Sequence, residues 1–151
     1  MKTQFDILRK VRELVIRLID GLTIEQLHKI PAGFNNNIAW NVVHLVVTQQ
    51  LLHYRLSGQD CLISEELIDL YKKGTVPTKV MTKKEFDAAI ALFKSLPDTL
   101  EEDYNKGVFT KYHEYPTSTG FVLDSIKTAI SFNNMHESLH LGVIMAIKKL
   151  V

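Results

Sequence analysis

The sequence has very little cysteine and no long apolar run, and each scarcity excludes a class of protein. Its single cysteine, Cys61, cannot form an internal disulfide or a CxxC zinc or redox motif. A reducing cytoplasm is therefore the simplest expected location. The most apolar stretch, residues 38–52, is interrupted by amide and imidazole side chains, so it is too short and too polar to cross a bilayer. The first 20 residues are too charged for a signal peptide.

Neither basic nor acidic residues are in excess. The chain contains 18 Lys and Arg residues against 17 Asp and Glu residues, for a net charge of +1. This balance argues against a dedicated nucleic-acid binder, which normally carries a basic surface. Hydrophobic residues make up 46% of the chain and charged residues 23%, as in globular proteins. A chain of 151 residues is expected to fold as one domain, residues 1–151.

Apolar residues at helical spacing predict an all-α protein with four long helices. The expected ranges are about 3–20, 37–56, 82–105 and 121–149, with a short extra helix at about 64–73 in the second connection. Capping-box patterns at Thr23 and Thr82 predict helix starts, and one of the asparagines at 35–37 is expected to cap the second long helix. Pro97 predicts a kink or break in the third. No strand pattern is strong enough to predict a sheet, and the helix lengths suit a four-helix bundle.

The last long helix contains the sequence HESLH, in which His136 and His140 are four residues apart. Residues at this spacing lie on one face of a helix, so both imidazoles can reach one ion. The same face carries Ala129, Phe132 and Ile147, which predicts that the two histidines point into the apolar interior. Neutral imidazole suits zinc, nickel, copper or iron in such a setting.

A third ligand is needed to complete this site. Zinc proteases with HExxH usually take theirs from downstream, but no His, Asp, Glu or Cys follows His140 here, so a protease is disfavoured. The best upstream candidate is His44, in the middle of the second long helix, whereas His53 lies on the opposite side of that helix. Each histidine alone also fits a hydrogen-bonded core residue. A site of three histidines leaves a coordination position open, as catalytic sites do.

These residues make the sequence resemble the DinB-like superfamily of four-helix metalloproteins. The resemblance rests on IAWNVVHL, which ends just after His44, on HESLHLGVI, which begins at His136, and on the spacing between them. It implies an up-down-down-up bundle, with nickel or zinc on His44, His136 and His140, and a homodimer. Similar proteins include transferases that use low-molecular-weight thiols.

The leading hypothesis is a metal-dependent enzyme that acts on a small molecule, with transfer of a thiol to an electrophile as the expected reaction. A metal-dependent hydrolase is an alternative, as is a non-catalytic, metal-stabilised binding or dimerisation module. Glu137 is a candidate general base, although it could equally point at a neighbouring helix. Asn41 could orient a ligand or bond to the backbone in the core. Aromatic residues at 112–115 could cover the site entrance. No membrane or nucleic-acid partner is expected.

Overall fold

The protein is largely helical. The computed structural model describes residues 1–151 and contains six α-helices and one two-stranded antiparallel hairpin. The helices are α1 Lys2–Ile19, α2 Ile24–His28, α3 Ile38–His53, α4 Glu65–Tyr71, α5 Lys83–Asn105 and α6 Ile126–Lys148, and the strands are β1 Tyr115–Pro116 and β2 Val122–Leu123. A short 3₁₀ turn, Arg55–Ser57, extends the end of α3. None of the helices combines the length and the apolar character needed to cross a membrane.

Side-chain caps explain where several helices begin. Thr23 and Thr82 form capping boxes with Gln26 and Glu85, so both predicted boxes are confirmed. Of the three consecutive asparagines, Asn37 caps α3 by accepting a hydrogen bond from the Trp40 backbone N–H. Each cap satisfies a backbone donor that the first turn of a helix leaves without a partner.

The four long helices enclose the core. Helix α1 packs against α5 and α6, and α3 packs against the same two helices. Helix α3 is buried on nearly all sides, and its buried set includes the polar residues Asn41, His44 and Gln49. The main core joins its valines to apolar residues of α1, α5 and α6 such as Val15, Phe93 and Ile144. The predicted short helix between α3 and α5 is present as α4.

The last helix begins later than the sequence predicted, at Ile126 instead of residue 121. The preceding residues form a hairpin, in which Tyr115 pairs with Leu123 and Pro116 with Val122. The prediction of no sheet is therefore wrong in this detail, because strands of two residues are too short to show an alternating pattern. The turn between them ends at Gly120, whose φ of 87° favours glycine.

Pro97 does not end α5, which continues to Asn105. Proline has no backbone N–H, so the carbonyl of Phe93, four residues earlier, loses its usual helical partner. In this protein the Arg12 guanidinium donates a hydrogen bond to that carbonyl at 2.8 Å. A side chain from α1 therefore replaces the missing bond, and the expected break is not found.

Candidate metal centre

The structure brings the three predicted ligand histidines together. His44 lies on α3, and His136 and His140 lie one turn apart on α6, which packs against α3. The ring centroids are 5.3 Å apart for His44 and His136, 4.9 Å for His44 and His140, and 4.5 Å for His136 and His140. Each ring offers one nitrogen, and these three atoms lie within 4.8 Å of one another. This arrangement could hold a metal ion.

Hydrogen bonds determine which nitrogen of His44 is available as a ligand. Its Nδ1–H donates to the backbone carbonyl of Tyr71 at 2.7 Å, which leaves the lone pair on Nε2. The Thr48 hydroxyl lies 3.3 Å from this Nε2. Trp40 stacks on the imidazole, with ring centroids 4.5 Å apart and planes inclined by 10°. The ring is thus held in one orientation by a backbone bond on one edge and an indole on one face.

Asn41 orients His140 in the same way. The Asn41 side-chain N–H donates to the carbonyl of Asn37 at 2.7 Å, and this bond directs its Oδ1 towards the histidine. His140 Nδ1–H donates to that Oδ1 at 2.7 Å, so its Nε2 is free to bind an ion. Asn41 thus makes the backbone bond considered for it and also holds the ring of His140.

His136 contributes an unpaired polar atom to the cluster. Its Nδ1 is buried and has no hydrogen-bond partner within the protein. Buried polar atoms are normally paired, because leaving one without a partner costs about 1–3 kcal/mol. Nδ1 of His136 therefore lacks a partner that the rest of the protein could supply.

Burial keeps the three imidazoles neutral. Desolvation, with a smaller contribution from the neighbouring histidines, lowers the pKa of His136 to about 3. Desolvation together with His44 lowers the pKa of His140 to about 4. The pKa of His44 is also lowered by burial, and the Tyr71 carbonyl opposes that effect. Imidazole binds metals in its neutral form, so all three rings are ready to act as ligands at pH 7.

A cavity of about 290 Å³ opens onto the cluster and reaches His44 and His136. One side is formed by the end of α3 and the 3₁₀ turn, and another by Tyr115 and the hairpin turn at residues 117–119. Of the aromatic residues proposed to cover the entrance, Tyr115 lines the cavity. Tyr112 instead donates its hydroxyl to the Leu52 carbonyl at 3.1 Å, and His113 is exposed. The sequence did not identify the hairpin turn as part of the cavity wall, because its small polar residues resemble an ordinary loop.

The structure does not place Glu137 in the histidine cluster. Its carboxylate is fully buried and accepts hydrogen bonds from the Arg12 guanidinium at 2.7 Å and from the Asn133 amide at 3.0 Å. Consecutive residues on a helix point about 100° apart, so His136 faces α3 while Glu137 faces α1. The carboxylate is engaged in a buried ion pair and faces a neighbouring helix, which is the alternative that the sequence left open for Glu137.

Two other histidines, His53 and His28, lie in separate environments. His53 is fully buried and lies outside the cluster, as its rotation from His44 predicted. His28 donates from Nδ1 to the Ile24 carbonyl at 2.8 Å and accepts at Nε2 from the Met81 backbone N–H at 2.9 Å. It therefore joins the α2 turn to the segment before α5 and has no nitrogen free for a ligand.

Comparisons with known proteins agree with this geometry. The sequence model of the DinB superfamily matches residues 7–144, a range that contains all three clustered histidines and Asn41. A search of curated proteins finds no match. Because the matched range covers most of the sequence, the chain belongs to the DinB superfamily.

Proposed function

We propose that His44, His136 and His140 hold a divalent metal ion, nickel or zinc, and that the protein is a metal-dependent enzyme acting on a small molecule. The reaction that we favour is transfer of a low-molecular-weight thiol to an electrophile. The observation that carries the proposal is the convergence of three neutral imidazoles beside an open cavity. Three protein ligands without a nearby fourth are typical of catalytic sites, whereas structural zinc sites are normally closed by four.

The three rings supply only nitrogen ligands, a donor set that suits zinc and nickel. When bound, such an ion lowers the pKa of a thiol or a water molecule beside it, which is the chemistry that thiol transfer and hydrolysis require. Asn41 and the Tyr71 carbonyl keep the rings oriented, and the Thr48 hydroxyl offers a hydrogen bond at the cavity side of His44. Trp40 covers one face of the His44 ring.

Two other functions remain candidates. A hydrolase would use the same centre, and the accessible cavity is compatible with a water molecule as the reactant. A non-catalytic, metal-stabilised dimerisation module is supported by exposed apolar residues on α6, such as Leu139 at 57% and Met145 at 48% exposure.

We infer a homodimer for each of these functions. A cytoplasmic location is also proposed, since the chain has one free cysteine.

We also propose that the long helices run up-down-down-up. Contacts advance in the same direction along the α1–α6 and α3–α5 pairs, and in opposite directions along the α3–α6 and α1–α5 pairs. The α1–α6 pair has the contacts Gln4–Asn134 and Arg12–Glu137, and the α3–α5 pair has Gln49–Leu96 and Tyr54–Asp103. The α3–α6 pair has Asn41–His140 and His44–His136, and the α1–α5 pair has Arg9–Glu101 and Arg12–Phe93. Parallel α3 and α5 need a long connection, and the segment that contains α4 provides it.

Elemental analysis of protein purified without added metal tests the metal centre directly. The parent and the control variant His113→Ala, which changes an exposed histidine, should carry about one ion per chain. The variant His44→Ala should carry little or none, while its circular dichroism stays helical. Equal metal content in the parent and His44→Ala would contradict the proposal.

Turnover separates the enzyme from the dimerisation module. The metal-loaded protein is incubated with small thiols and electrophiles, and product is measured before and after treatment with a chelator. An enzyme should lose turnover with the chelator and regain it when the metal is restored. A structural site should show only a lower melting temperature after chelation.

A further inference from the structure

The cavity beside the histidine cluster has charge of one sign. Arg55 and Lys73 are among its 13 lining residues, and no Asp or Glu is. The cleft between α1 and α5, by contrast, contains Glu13 and Asp98 beside its cations. The whole chain is nearly neutral, so a concave site lined by two cations and no carboxylate is a local feature. Such a site attracts anions.

The two cations lie towards different ends of the cavity. His44, Thr48, Leu51 and Arg55 follow one another at helical spacing, so the Arg55 backbone lies three turns, or about 16 Å, along α3 from that of His44. Lys73 comes two residues after Tyr71, whose carbonyl accepts the hydrogen bond from His44. Lys73 is thus near the histidine end, and Arg55 is at the far end.

Neither cation is committed to a strong internal partner. Arg55 forms an ion pair with Glu65, but their side chains are 46% and 69% exposed, and ion pairs this exposed contribute little. A guanidinium has five N–H donors, so others remain for a ligand. Lys73 is exposed and takes part in none of the ion pairs of the structure.

The walls between the cations are apolar, and the hairpin turn adds hydroxyl groups. The cavity is lined by the apolar side chains of Leu51, Leu52, Leu56 and Phe132, and Ser118 and Thr119 lie on the hairpin turn. Apolar walls with a few polar groups are typical of sites for small organic molecules. The ligand that matches this lining has an apolar body and carries negative charge.

We propose that the substrate of the histidine centre is a small organic anion with an apolar body, whose carboxylate or phosphate is bound by Arg55, with Lys73 adding positive charge towards the histidine end of the cavity. The inference rests on the proposed function, because that function places the reacting end of the substrate at the histidines. Charge-assisted bonds from Arg55 hold the anionic group, and Lys73 adds favourable charge at the other end. The apolar walls exclude water around the rest of the molecule.

Calorimetric titration of the metal-loaded protein tests this inference with a matched pair of probes. The probes are 3-phenylpropanoate and its neutral analogue 3-phenylpropanamide, which have nearly the same shape. The acid should bind at least about tenfold more tightly than the amide, and its affinity should fall as sodium chloride is raised. A parallel titration with 2-phenylethyl phosphate distinguishes a preference for phosphate from one for carboxylate.

Variants then assign the preference to the two cations. Arg55→Gln should weaken binding of the acid about tenfold and leave the affinity for the amide unchanged, and Lys73→Gln should have a smaller effect of the same kind. Lys84→Gln is the control, since Lys84 is exposed on α5 and lies outside the cavity. If the carboxylate bound the metal directly, Arg55→Gln and the parent would bind the acid equally well. The difference in affinity between these two proteins therefore measures the contribution of Arg55.

Equal affinity for the acid and the amide, no binding of either, or equal effects of Arg55→Gln and Lys84→Gln would each overturn the inference. The metal content of every sample is measured alongside. Protein that takes up no metal but still prefers the acid, with the preference lost in Arg55→Gln, would refute the metal centre and leave the anion site intact. Metal-loaded protein that binds the acid and the amide equally would refute the anion site and leave the metal centre intact.

Discussion

At the residue scale, the contacts behind the histidines determine how the rings are presented. The Tyr71 carbonyl and the Asn41 amide oxygen each accept a hydrogen bond from a ring Nδ1–H, so Nε2 of His44 and of His140 is left as the acceptor. Such supporting groups fix the tautomer and orientation of a metal ligand. The sequence identified the histidines by their spacing, but it left the role of Asn41 open and gave no sign of the backbone carbonyl.

Replacing Asn41 tests this supporting contact. Asn41→Ala should weaken metal affinity by about ten- to hundredfold, because His140 loses the acceptor that fixes its ring. Asn41→Asp keeps the oxygen acceptor for His140 but loses the amide donor to the Asn37 carbonyl, so its affinity should fall less than that of Asn41→Ala. Affinities are measured by competition with a chromophoric chelator.

Asn35→Ala is a suitable control, since Asn35 is exposed beside the same helix start and makes no side-chain hydrogen bond. It should bind metal as the parent does. If Asn41→Ala bound metal with unchanged affinity, the orienting role would be refuted.

At the scale of helices, one buried polar group links all four long elements. Arg12 of α1 donates to Glu137 of α6 and to the Phe93 carbonyl of α5, and Gln49 of α3 accepts from Arg12 and donates to the Leu96 carbonyl. The Arg12 guanidinium also lies 4.5 Å from the centre of the Phe93 ring. Because Glu137 is next to His136 in sequence, this ion pair also fixes the rotation of α6 that directs the histidines towards α3.

A double-mutant cycle measures what this ion pair contributes. Glu137→Leu alone leaves a buried, unpaired guanidinium and should reduce the free energy of unfolding by about 3–5 kcal/mol. Arg12→Met alone leaves a buried carboxylate and should cost a similar amount. The double variant removes both charges and should recover much of the loss.

Urea unfolding at pH 7 provides the free energies, with the exposed pair Lys10→Met and Glu13→Leu as the matched control cycle. The exposed pair should show coupling below about 1 kcal/mol. Simple additivity of the Arg12 and Glu137 effects would contradict the assigned interaction.

At the scale of the whole molecule, several neutral histidines are buried in the folded state. Burial lowers the pKa of His53 and of His140 to about 4 and that of His136 to about 3, and it also lowers the pKa of His44. The unfolded chain takes up protons on these groups below about pH 6.5, whereas the folded protein does not until nearer pH 4 or 3. Stability should therefore be complete above pH 6.5 and should fall as the pH drops towards 4.

Acid unfolding of the metal-free protein checks this expectation. Each buried histidine should remove about 1 kcal/mol from the free energy of unfolding per pH unit below 6.5. Bound metal stabilises only the folded state, so the loaded protein should resist acid longer. Urea midpoints at pH 7, 6 and 5, with and without a chelator, provide the measurement. Equal midpoints at pH 7 and pH 5 without metal would show that the histidines are not buried as neutral groups.

The amino-acid sequence by itself determined the helical class, the capping boxes at Thr23 and Thr82, and the histidine pair on the last helix, because these depend on residues a few positions apart. Tertiary structure alone decided which groups meet across the core. Three contacts join helices that are far apart in sequence. They are the Arg12–Glu137 ion pair, the hydrogen bond from Arg12 to the carbonyl freed by Pro97, and the Asn41–His140 hydrogen bond. Helical periodicity gives the direction of a side chain, but its partner depends on how the helices pack.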